Sequence, residues 1–429
     1  MKNSKITYSR SSTIVALPVI GACLVCCVLA AFFGQMWMAA SLMFVCLFAS
    51  AARLWAWLSM RKMDIEVSSA ARGIFPDDEI EFCVKVENGK FLPLVWLELF
   101  APVPASRCLL PAESRVPDDW EYAALKELGA DTEIVGEKKF GFMLWYERTE
   151  VKTHWKAVKR GMYSMANWRL RTGDGFGLVQ MEQPLREEDV RKIAVYPRLV
   201  PVIPDMFLRN LWNSESGSKG VMEDPTVIRS TRDYQTFDSL KQINWRLAAR
   251  GLPLTVNVYE DILPKSAHFI FDGNSFGGET PHAEELEEAL SILASLCVRL
   301  ESMDVRCGIS FPRWKDHRAV NLFAADGAVT EELLRAMAAY VLPEPEYNKE
   351  SDSNIMPPPQ FDRAAIFDGA KHAGRFYYVA YDTDCLKERS LLRALEEAGT
   401  TILTYCEPEA FGEYEMACLR HLKEVRADG

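Results

Sequence analysis

Hydrophobic and polar positions follow different patterns along the chain, and each pattern predicts a different kind of structure. Near the start, residues 13–33 carry no charge, and after Gly34-Gln35 a second uncharged run covers residues 36–52. Each run is close to the roughly 20 apolar residues that a helix needs to cross a bilayer. The pattern predicts a membrane helical hairpin within residues 1–62, with spans at about 13–33 and 36–58.

The charges around these runs predict an orientation. A cleaved signal peptide is the alternative for the first run, but the second run follows at once, with no A-x-A-like cleavage site between them. Basic residues flank the pair only on its outer sides, at Lys2, Lys5, Arg10, Arg53, Arg61 and Lys62. The positive-inside rule then predicts a cell-membrane protein with two spans, whose soluble domains are cytoplasmic.

The next segment alternates with a period of two. Ile80, Phe82, Val84 and Val86 are separated by polar residues, and Asn88-Gly89 follows as a hairpin turn. The apolar run 92–100 is expected to pair with this strand, and residues 151–159 and 165–170 are further strands. We predict a β-sandwich domain over residues 63–210. The segment GDGFGL at 173–178 is not followed by a helical pattern, so it indicates a turn that enters a strand, not a phosphate loop.

Strands and helices alternate in the rest of the chain. A polar linker at 211–226 precedes residues 230–250, and a short apolar strand follows at 268–271. The next segment has leucines at helical spacing, which predicts a helix that Thr280-Pro281 is expected to cap. Strands at 305–311, 376–381 and 401–405 and helices at 330–340 and 386–398 continue the alternation, with a surface loop at 343–360. This βαβ order predicts an α/β domain with a parallel sheet within residues 211–429.

Composition narrows the choice of partners and chemistry. The net charge of −11 over 429 residues argues against nucleic acid as the main partner, because phosphate binding favours a basic surface. The 11 cysteines form no C-x-x-C pair outside the apolar runs, so neither a disulfide framework nor a zinc site is indicated. No familiar nucleotide-binding or hydrolase motif is present.

Residues 230–250 are the most informative stretch, because they combine six charges with large aromatic side chains. The segment resembles the signature of the bacterial domain of unknown function 58 family, in which Arg, Tyr, Asp, Ile, Trp, Ala and Arg recur at fixed spacing. Phe237 replaces the usual Gly, and Lys241 replaces the usual Arg. The matching residues are Arg232, Tyr234, Asp238, Ile243, Trp245, Ala249 and Arg250.

The resemblance implies a von Willebrand A-like domain for the α/β part. Such domains hold Mg²⁺ with a D-x-S-x-S motif after the first strand and an Asp on a later loop. Here Asp272 matches the motif, Asn274 and Phe276 replace its serines, and Asp382 is the candidate for the later Asp. Phe276 offers no oxygen ligand, so we expect any Mg²⁺ to bind weakly at Asp272, Asn274 and Asp382.

Two interpretations of the signature remain open from the sequence. Arg232, Arg246 and Arg250 could receive acidic groups of a partner protein beside Tyr234 and Trp245, or the segment could serve structure alone through ion pairs and stacking. The resemblance implies a non-enzymatic adaptor that works with a MoxR-type AAA+ ATPase and other membrane proteins, in a chaperone-like or envelope-related system. The alternative is a metal-dependent hydrolase that uses Asp272 and Asp382.

Overall fold

The chain forms two compact units, Met1–Pro197 and Arg198–Gly429, in a computed structural model. The structure describes residues 7–11, 15–103, 107–112, 135–185, 190–205, 223–236, 238–261, 266–277, 281–313, 319–342, 346–348, 353–355, 360–370, 375–383, 391, 400–407 and 419–427. The domain boundary predicted at residue 210 and most of the linker predicted at 211–226 lie outside these residues. So do Phe237 and, except for Leu391, the helix predicted at 386–398.

The first unit begins with a strand and two helices. Strand β1 (Thr7–Ser11) precedes helices α1 (Leu17–Phe32) and α2 (Met36–Ser59). The helices run antiparallel, because Cys27 in the second half of α1 contacts the Ala39 carbonyl near the start of α2, while Cys46 further along α2 contacts the Ile20 carbonyl near the start of α1. Among the described helices, α2 alone is long and apolar enough to cross a membrane by length and composition; α1, with 16 residues, is shorter than predicted. Large apolar side chains on both helices are exposed, including Leu24, Phe32 and Trp37.

Eleven further strands lie in the described part of this unit, and the three sheets of the unit share one core. A five-stranded sheet has the order β1-β11-β10-β5-β7, a four-stranded sheet has the order β2-β4-β8-β6, and β3-β12-β9 form a third. Their bounds are β2 (Met63–Ser69), β3 (Gly73–Ile74), β4 (Glu79–Asn88), β5 (Leu97–Pro102), β6 (Leu109–Pro111), β7 (Val135–Lys139), β8 (Arg148–Ala157), β9 (Gly161–Ser164), β10 (Arg169–Gly173), β11 (Val179–Pro184) and β12 (Lys192–Val195).

The core between these sheets is that of a β-sandwich, since side chains from all three sheets meet in it. Strand β4 buries alternate residues as its period of two predicts, with Phe82 and Val84 fully buried. Phe82 packs edge-on against Trp168, whose Nε1 donates a hydrogen bond to the buried Tyr163 hydroxyl. Each such side chain contributes on the order of 2 kcal/mol by leaving water.

One predicted pairing is wrong. The apolar run 92–100 does not pair with β4; its strand β5 joins the other sheet and pairs with β10 and β7. The reason lies at Asn88, whose side chain is buried and donates to the carbonyls of Leu92 and Leu144 instead of forming a tight turn. Strand β4 pairs with β2 and β8, and the predicted strand at 151–159 is confirmed as part of β8. Only the second part of the strand predicted at 165–170 is confirmed, because residues 165–167 form a 3₁₀ turn before β10.

The second unit contains a six-stranded sheet with helices and a separate two-stranded ribbon. The ribbon pairs β13 (Glu223–Asp233) with β14 (Thr255–Asp261), and the short helix α3 (Trp245–Ala248) lies between them in sequence. The sheet has the order β17-β16-β15-β20-β21-β22. Its strands are β15 (Ser266–Phe271), β16 (Arg306–Phe311), β17 (Val320–Leu322), β20 (Arg375–Ala380), β21 (Thr401–Thr404) and β22 (Leu419–His421).

This sheet confirms the predicted α/β class. Counted along the chain, its strands lie in the order 3-2-1-4-5-6, and every neighbouring pair is parallel except β16 with the edge strand β17. That is a doubly wound order, in which the strand sequence reverses between β15 and β20. The accompanying helices are α4 (Ala283–Glu301), α5 (Thr330–Ala339) and α6 (Arg363–Ala370).

Two local predictions in this unit need correction. Helix α4 begins after His282, whose side chain makes no capping hydrogen bond; Thr280, which was predicted to cap it, lies outside the described residues. The segment 343–360 is not only a loop, because β18 (Glu346–Asn348) and β19 (Ser353–Ile355) pair antiparallel within it. Short polar strands of this kind carry no hydrophobic alternation, so a pattern search overlooks them.

Candidate functional site

The crevice at the reversal of strand order is the first candidate site. Asp272 follows β15 directly, and Asp382 lies two residues beyond β20, so both occupy the carboxyl edge where ligands bind in open α/β sheets. The two loops are joined, since the Tyr381 amide donates to Ser275 Oγ at 2.9 Å and the Asp272 amide donates to the Val379 carbonyl at 2.8 Å. The predicted placement of Asp272 and Asp382 at one sheet edge is therefore found.

The interior of this crevice is closely packed. Asp272 is fully buried and its Oδ2 accepts a hydrogen bond from the Tyr378 hydroxyl at 2.9 Å. Asn274 is also buried, whereas Asp382 is partly exposed. A Cβ on Gly273 would come within 1.7 Å of the Tyr340 hydroxyl, so that tyrosine lies directly over the loop. The Tyr378 hydroxyl was not foreseen, because a tyrosine inside an apolar strand looks like a core residue.

Metal binding at this crevice stays a prediction. In the part of the chain that the structure describes, no three His, Cys, Asp or Glu side chains cluster in a way that could hold a metal ion. Asp272, Asn274 and Asp382 offer carboxylate and amide oxygens, the ligand type that Mg²⁺ prefers, but Phe276 is wholly buried against Phe271 and supplies none. A metal at Asp272 Oδ2 would compete with the hydrogen bond from Tyr378.

The signature segment is the second candidate site, and an ion pair organises its first half. Arg232, at the end of β13, forms a two-pronged pair with Asp238, with distances of 2.7 Å from Nη1 to Oδ2 and 2.5 Å from Nη2 to Oδ1. The Asp238 side chain is only 4% exposed, and its Oδ2 also accepts from the Gln235 amide at 2.9 Å. The Arg232 guanidinium holds the pKa of the Asp238 carboxyl below its ordinary value.

An asparagine organises the second half. Asn244 Oδ1 accepts from the Leu247 amide at 3.2 Å, which caps helix α3, while its Nδ2 donates to Asn257 Oδ1 on β14 at 2.8 Å. Ile243 forms a bridge with Val256, and both side chains are buried. The Tyr234 amide donates to the Leu254 carbonyl at 2.9 Å. The segment is thus tied to the ribbon at several points along its length.

Among the other signature residues, Tyr234 is half-buried, and those from Trp245 onward face solvent. Trp245 is 61% exposed, and Arg246 and Arg250 are exposed on the same short helix and its end. Three leucines that sequence analysis did not single out are also exposed: Leu240 at 66%, Leu252 at 52% and Leu254 at 48%. We call Leu240, Trp245, Arg246, Arg250, Leu252 and Leu254 the signature surface. Leu-Pro-Leu after Gly251 is the sequence signal that could have revealed its apolar part.

Comparison with known proteins adds little to this geometry. No protein-family profile matches the chain, and no curated protein matches it. A CARDB domain from Pyrococcus furiosus, solved in complex with di-metal ions, is 11% identical over 31% of this chain and 92% of its own, with a TM-score of 0.18. A β-glucosidase from Listeria innocua is 10% identical over 31% of this chain and 16% of its own, with a TM-score of 0.16. Likenesses this weak carry no argument about function.

Proposed function

We propose that this chain is a membrane-anchored protein-interaction protein that binds its partner through the signature surface. The observation that carries the proposal is the exposure of Trp245 on a segment that is otherwise tied down by hydrogen bonds. Tryptophan and arginine are the residues most enriched among those that dominate binding energy at protein interfaces. An exposed tryptophan followed by two exposed arginines therefore favours a partner with both acidic and apolar groups.

The frame beneath this surface supports binding over a purely structural role. Arg232, Asp238, Asn244 and Ile243 make the contacts that hold the segment, whereas Trp245 and Arg250 contribute little to them. A rigid frame lowers the entropy that an interface loses when it forms. This difference between buried and exposed residues supports the proposal that some signature residues serve structure while others bind a partner.

The partner class comes from the resemblance to the domain of unknown function 58 family. A von Willebrand A-like α/β unit agrees with the doubly wound order and the antiparallel edge strand of the sheet. We propose a MoxR-type AAA+ ATPase as the partner, together with other membrane proteins, in a chaperone-like or envelope-related system. Nucleic acid is not proposed, because the chain carries a net charge of −11.

The anchoring part of the proposal rests on the two apolar helices. Their exposed side chains, among them Trp37 at 93% and Phe32 at 84%, would be costly in water and favourable in lipid. Strand β1, before α1, pairs with β11, and β2, after α2, pairs with β4, so both ends of the hairpin belong to the same sandwich. This arrangement and the flanking basic residues support the proposal of two spans with cytoplasmic soluble domains.

A pull-down from native membranes tests the interaction. We expect Trp245→Ala and Arg250→Glu each to reduce recovery of the partner by about tenfold or more, because interface anchors typically contribute at least 2 kcal/mol. Trp145→Ala is the matched control, since Trp145 is 50% exposed on the sandwich. Thermal unfolding of each variant should remain close to that of the unchanged protein. Equal recovery with Trp245→Ala and Trp145→Ala would contradict the proposal.

A further inference from the structure

A cleft lies where helix α2 crosses the five-stranded sheet of the first unit. It measures about 290 Å³, roughly ten times the volume of a water molecule in the liquid. Phe48, Ala51, Ala52 and Trp55 line one side from the helix. Val95 and the turn Asp174–Phe176 line the other side. The walls are therefore mostly apolar, as is usual for cavities that accept small amphipathic molecules.

Two buried polar atoms belong to side chains of this lining. Asp174 is 1% exposed, and its Oδ1 accepts from the Val179 amide at 2.9 Å, but its Oδ2 has no hydrogen-bond partner within the described residues. Trp55 Nε1 is likewise buried without a partner in that part of the chain. Leaving such atoms unsatisfied is unfavourable in free energy, because each has lost its hydrogen bonds to water without gaining others. A donor for the carboxylate and an acceptor for the indole would recover this energy.

The mouth of the cleft is continuous with the exposed apolar surface of the helices. Phe48 contacts Phe176 edge-on, with ring centres 5.0 Å apart, and stacks on Phe44 at 6.4 Å. Phe176 is 71% exposed and Phe44 is 70% exposed. A molecule that enters the cleft from this side would leave its apolar part on the same surface that we assign to lipid.

Exposed aromatic residues at this end of the sandwich fit a position at the membrane boundary. Lys90 Nζ donates to the carbonyls of Ser59 and Arg61 at the end of α2. The Tyr146 amide donates to the Lys90 carbonyl, which brings the loop around Trp145 to the same end. Within that loop and beside it, four large aromatics are at least half exposed: Phe91, Phe142, Trp145 and Tyr146. Aromatic residues are enriched at the level of the lipid headgroups.

We propose that this cleft binds a phospholipid with a primary-amine headgroup. The ammonium group donates to Asp174 Oδ2, and a phosphate or ester oxygen accepts from Trp55 Nε1. An acyl chain then leaves past Phe48 and Phe176 along the exposed face of α2. The inference rests on the proposed membrane anchoring and adds a specific lipid contact to it. Asp174 and Trp55 account for the choice of an amine headgroup with a neighbouring phosphate. Phe48 and Phe176 account for the direction in which the acyl chain leaves the cleft.

Native mass spectrometry of the full chain, released from lipid nanodiscs, tests the proposal. The probe is phosphatidylethanolamine diluted into phosphatidylcholine, with pure phosphatidylcholine as the comparison. We expect one phosphatidylethanolamine to be retained per chain, and Asp174→Asn to reduce this retention about tenfold, since a charge-assisted hydrogen bond is lost. The Asn side chain can still accept from the Val179 amide, so the turn is expected to keep its shape.

Two alanines on α2 provide a matched pair of variants. Ala51→Phe fills the cleft and should abolish retention, while Ala40→Phe adds the same ring at an exposed position outside the lining and should leave retention unchanged. Equal retention in all variants, or equal retention of both lipids, would overturn the lipid site. Membrane fractionation separates this result from failure of the anchoring proposal, in which even the unchanged protein would leave the membrane fraction.

Discussion

At the scale of single residues, burial decides the behaviour of the polar groups inside the sheets. His268 on β15 is 2% exposed, its Nε2 lies 2.8 Å from Ser310 Oγ, and its ring stacks on Phe323 with centres 4.8 Å apart. A Cβ on Gly308 would lie 2.5 Å from His268 Nδ1, which explains the glycine opposite it. The ring therefore occupies the space that a larger residue on β16 would need.

His268 should make the α/β unit sensitive to acid. Burial lowers the pKa of His268 to about 3 from an ordinary value of 6.5. The folded state then binds fewer protons than the unfolded state between these two values, so its stability is complete above pH 6.5 and falls toward pH 3. Between these two pKa values, the free energy of unfolding falls by up to about 1.4 kcal/mol for each unit by which the pH is lowered.

Urea unfolding across this pH range measures the effect, with the protease resistance of the α/β unit as the signal that reports unfolding. His268→Phe should flatten the dependence on pH relative to the unchanged protein, while His154→Gln, at a partly exposed position in the sandwich, should not. Parallel curves for His268→Phe and the unchanged protein would show that this histidine does not titrate as expected.

Tyr378 should weaken any metal site at Asp272. Its hydroxyl donates to Asp272 Oδ2 at 2.9 Å, where a cation would need a free lone pair. We expect Tyr378→Phe to strengthen Mg²⁺ binding by about tenfold, the value of one hydrogen bond. Calorimetry on the purified chain checks this, with Tyr377→Phe on the same strand as control. No heat of binding in either variant, even at high Mg²⁺ concentration, would remove the metal-site prediction.

At the scale of elements, the ribbon and its connecting segment show how polar contacts can replace a hydrophobic core. Ile243 and Val256 are the buried hydrophobic residues of the described ribbon, and the Arg232–Asp238 pair and the Asn244 cap provide further order. A segment with so little apolar burial depends on the geometry of its hydrogen bonds, because each bond contributes only about 1 kcal/mol.

Substitution of Arg232 by Lys should loosen this segment without unfolding the unit. Lysine cannot form the two parallel hydrogen bonds to Asp238, so we expect the segment to open locally more often. Hydrogen exchange of the amides at Tyr234 and Gln235 should accelerate correspondingly. Arg148→Lys is the control, because Arg148 forms a single 3.4 Å contact to Glu66 and both side chains are mostly exposed. Unchanged exchange at Gln235 would show that the pair does not hold the segment.

At the scale of the whole molecule, the apolar hairpin and the sandwich form one unit. Val15, Ala49, Ala56 and Met60 pack with residues of β11 in a common cluster, and Arg53 Nη1 donates to the Val15 carbonyl at 2.9 Å. Because β1 lies in the sheet next to β11, the chain leaves the sandwich and returns to it within a single hairpin. The two ends of the hairpin therefore stay on one side of any membrane that it crosses.

Cysteine labelling in intact cells tests this topology. A cysteine introduced at Gln35, in the turn between the helices, should react with a membrane-impermeant reagent, whereas one at Glu66 on β2 should react only after permeabilisation. Both sites are exposed in the structure, so reactivity depends on the side of the membrane and not on burial. A variant without the native cysteines in α1 and α2 gives the background. Labelling of the Glu66 position in intact cells would reverse the orientation.

Local periodicity predicted those parts of the fold in which burial alternates regularly along consecutive residues. The alternation over residues 79–88 predicted the buried face of β4, and the leucine spacing in α4 predicted its inward face. It also predicted that Asp272 and Asp382 would share the carboxyl edge, since the βαβ order determines which strand ends lie together. These features depend on short-range geometry, so sequence suffices for them.

The strand partners, the exposed signature surface and the lipid cleft required the tertiary structure. Periodicity states which face of a strand is buried but not which strand lies beside it, so the pairing of β5 with β10 and of β1 with β11 could not be predicted. Likewise Trp245 and Trp55 look alike in sequence, yet one is exposed and the other has a buried indole nitrogen. Sequence determined the apolar helices, the sheet class and the signature residues; contacts between distant segments decided which of them are available for binding.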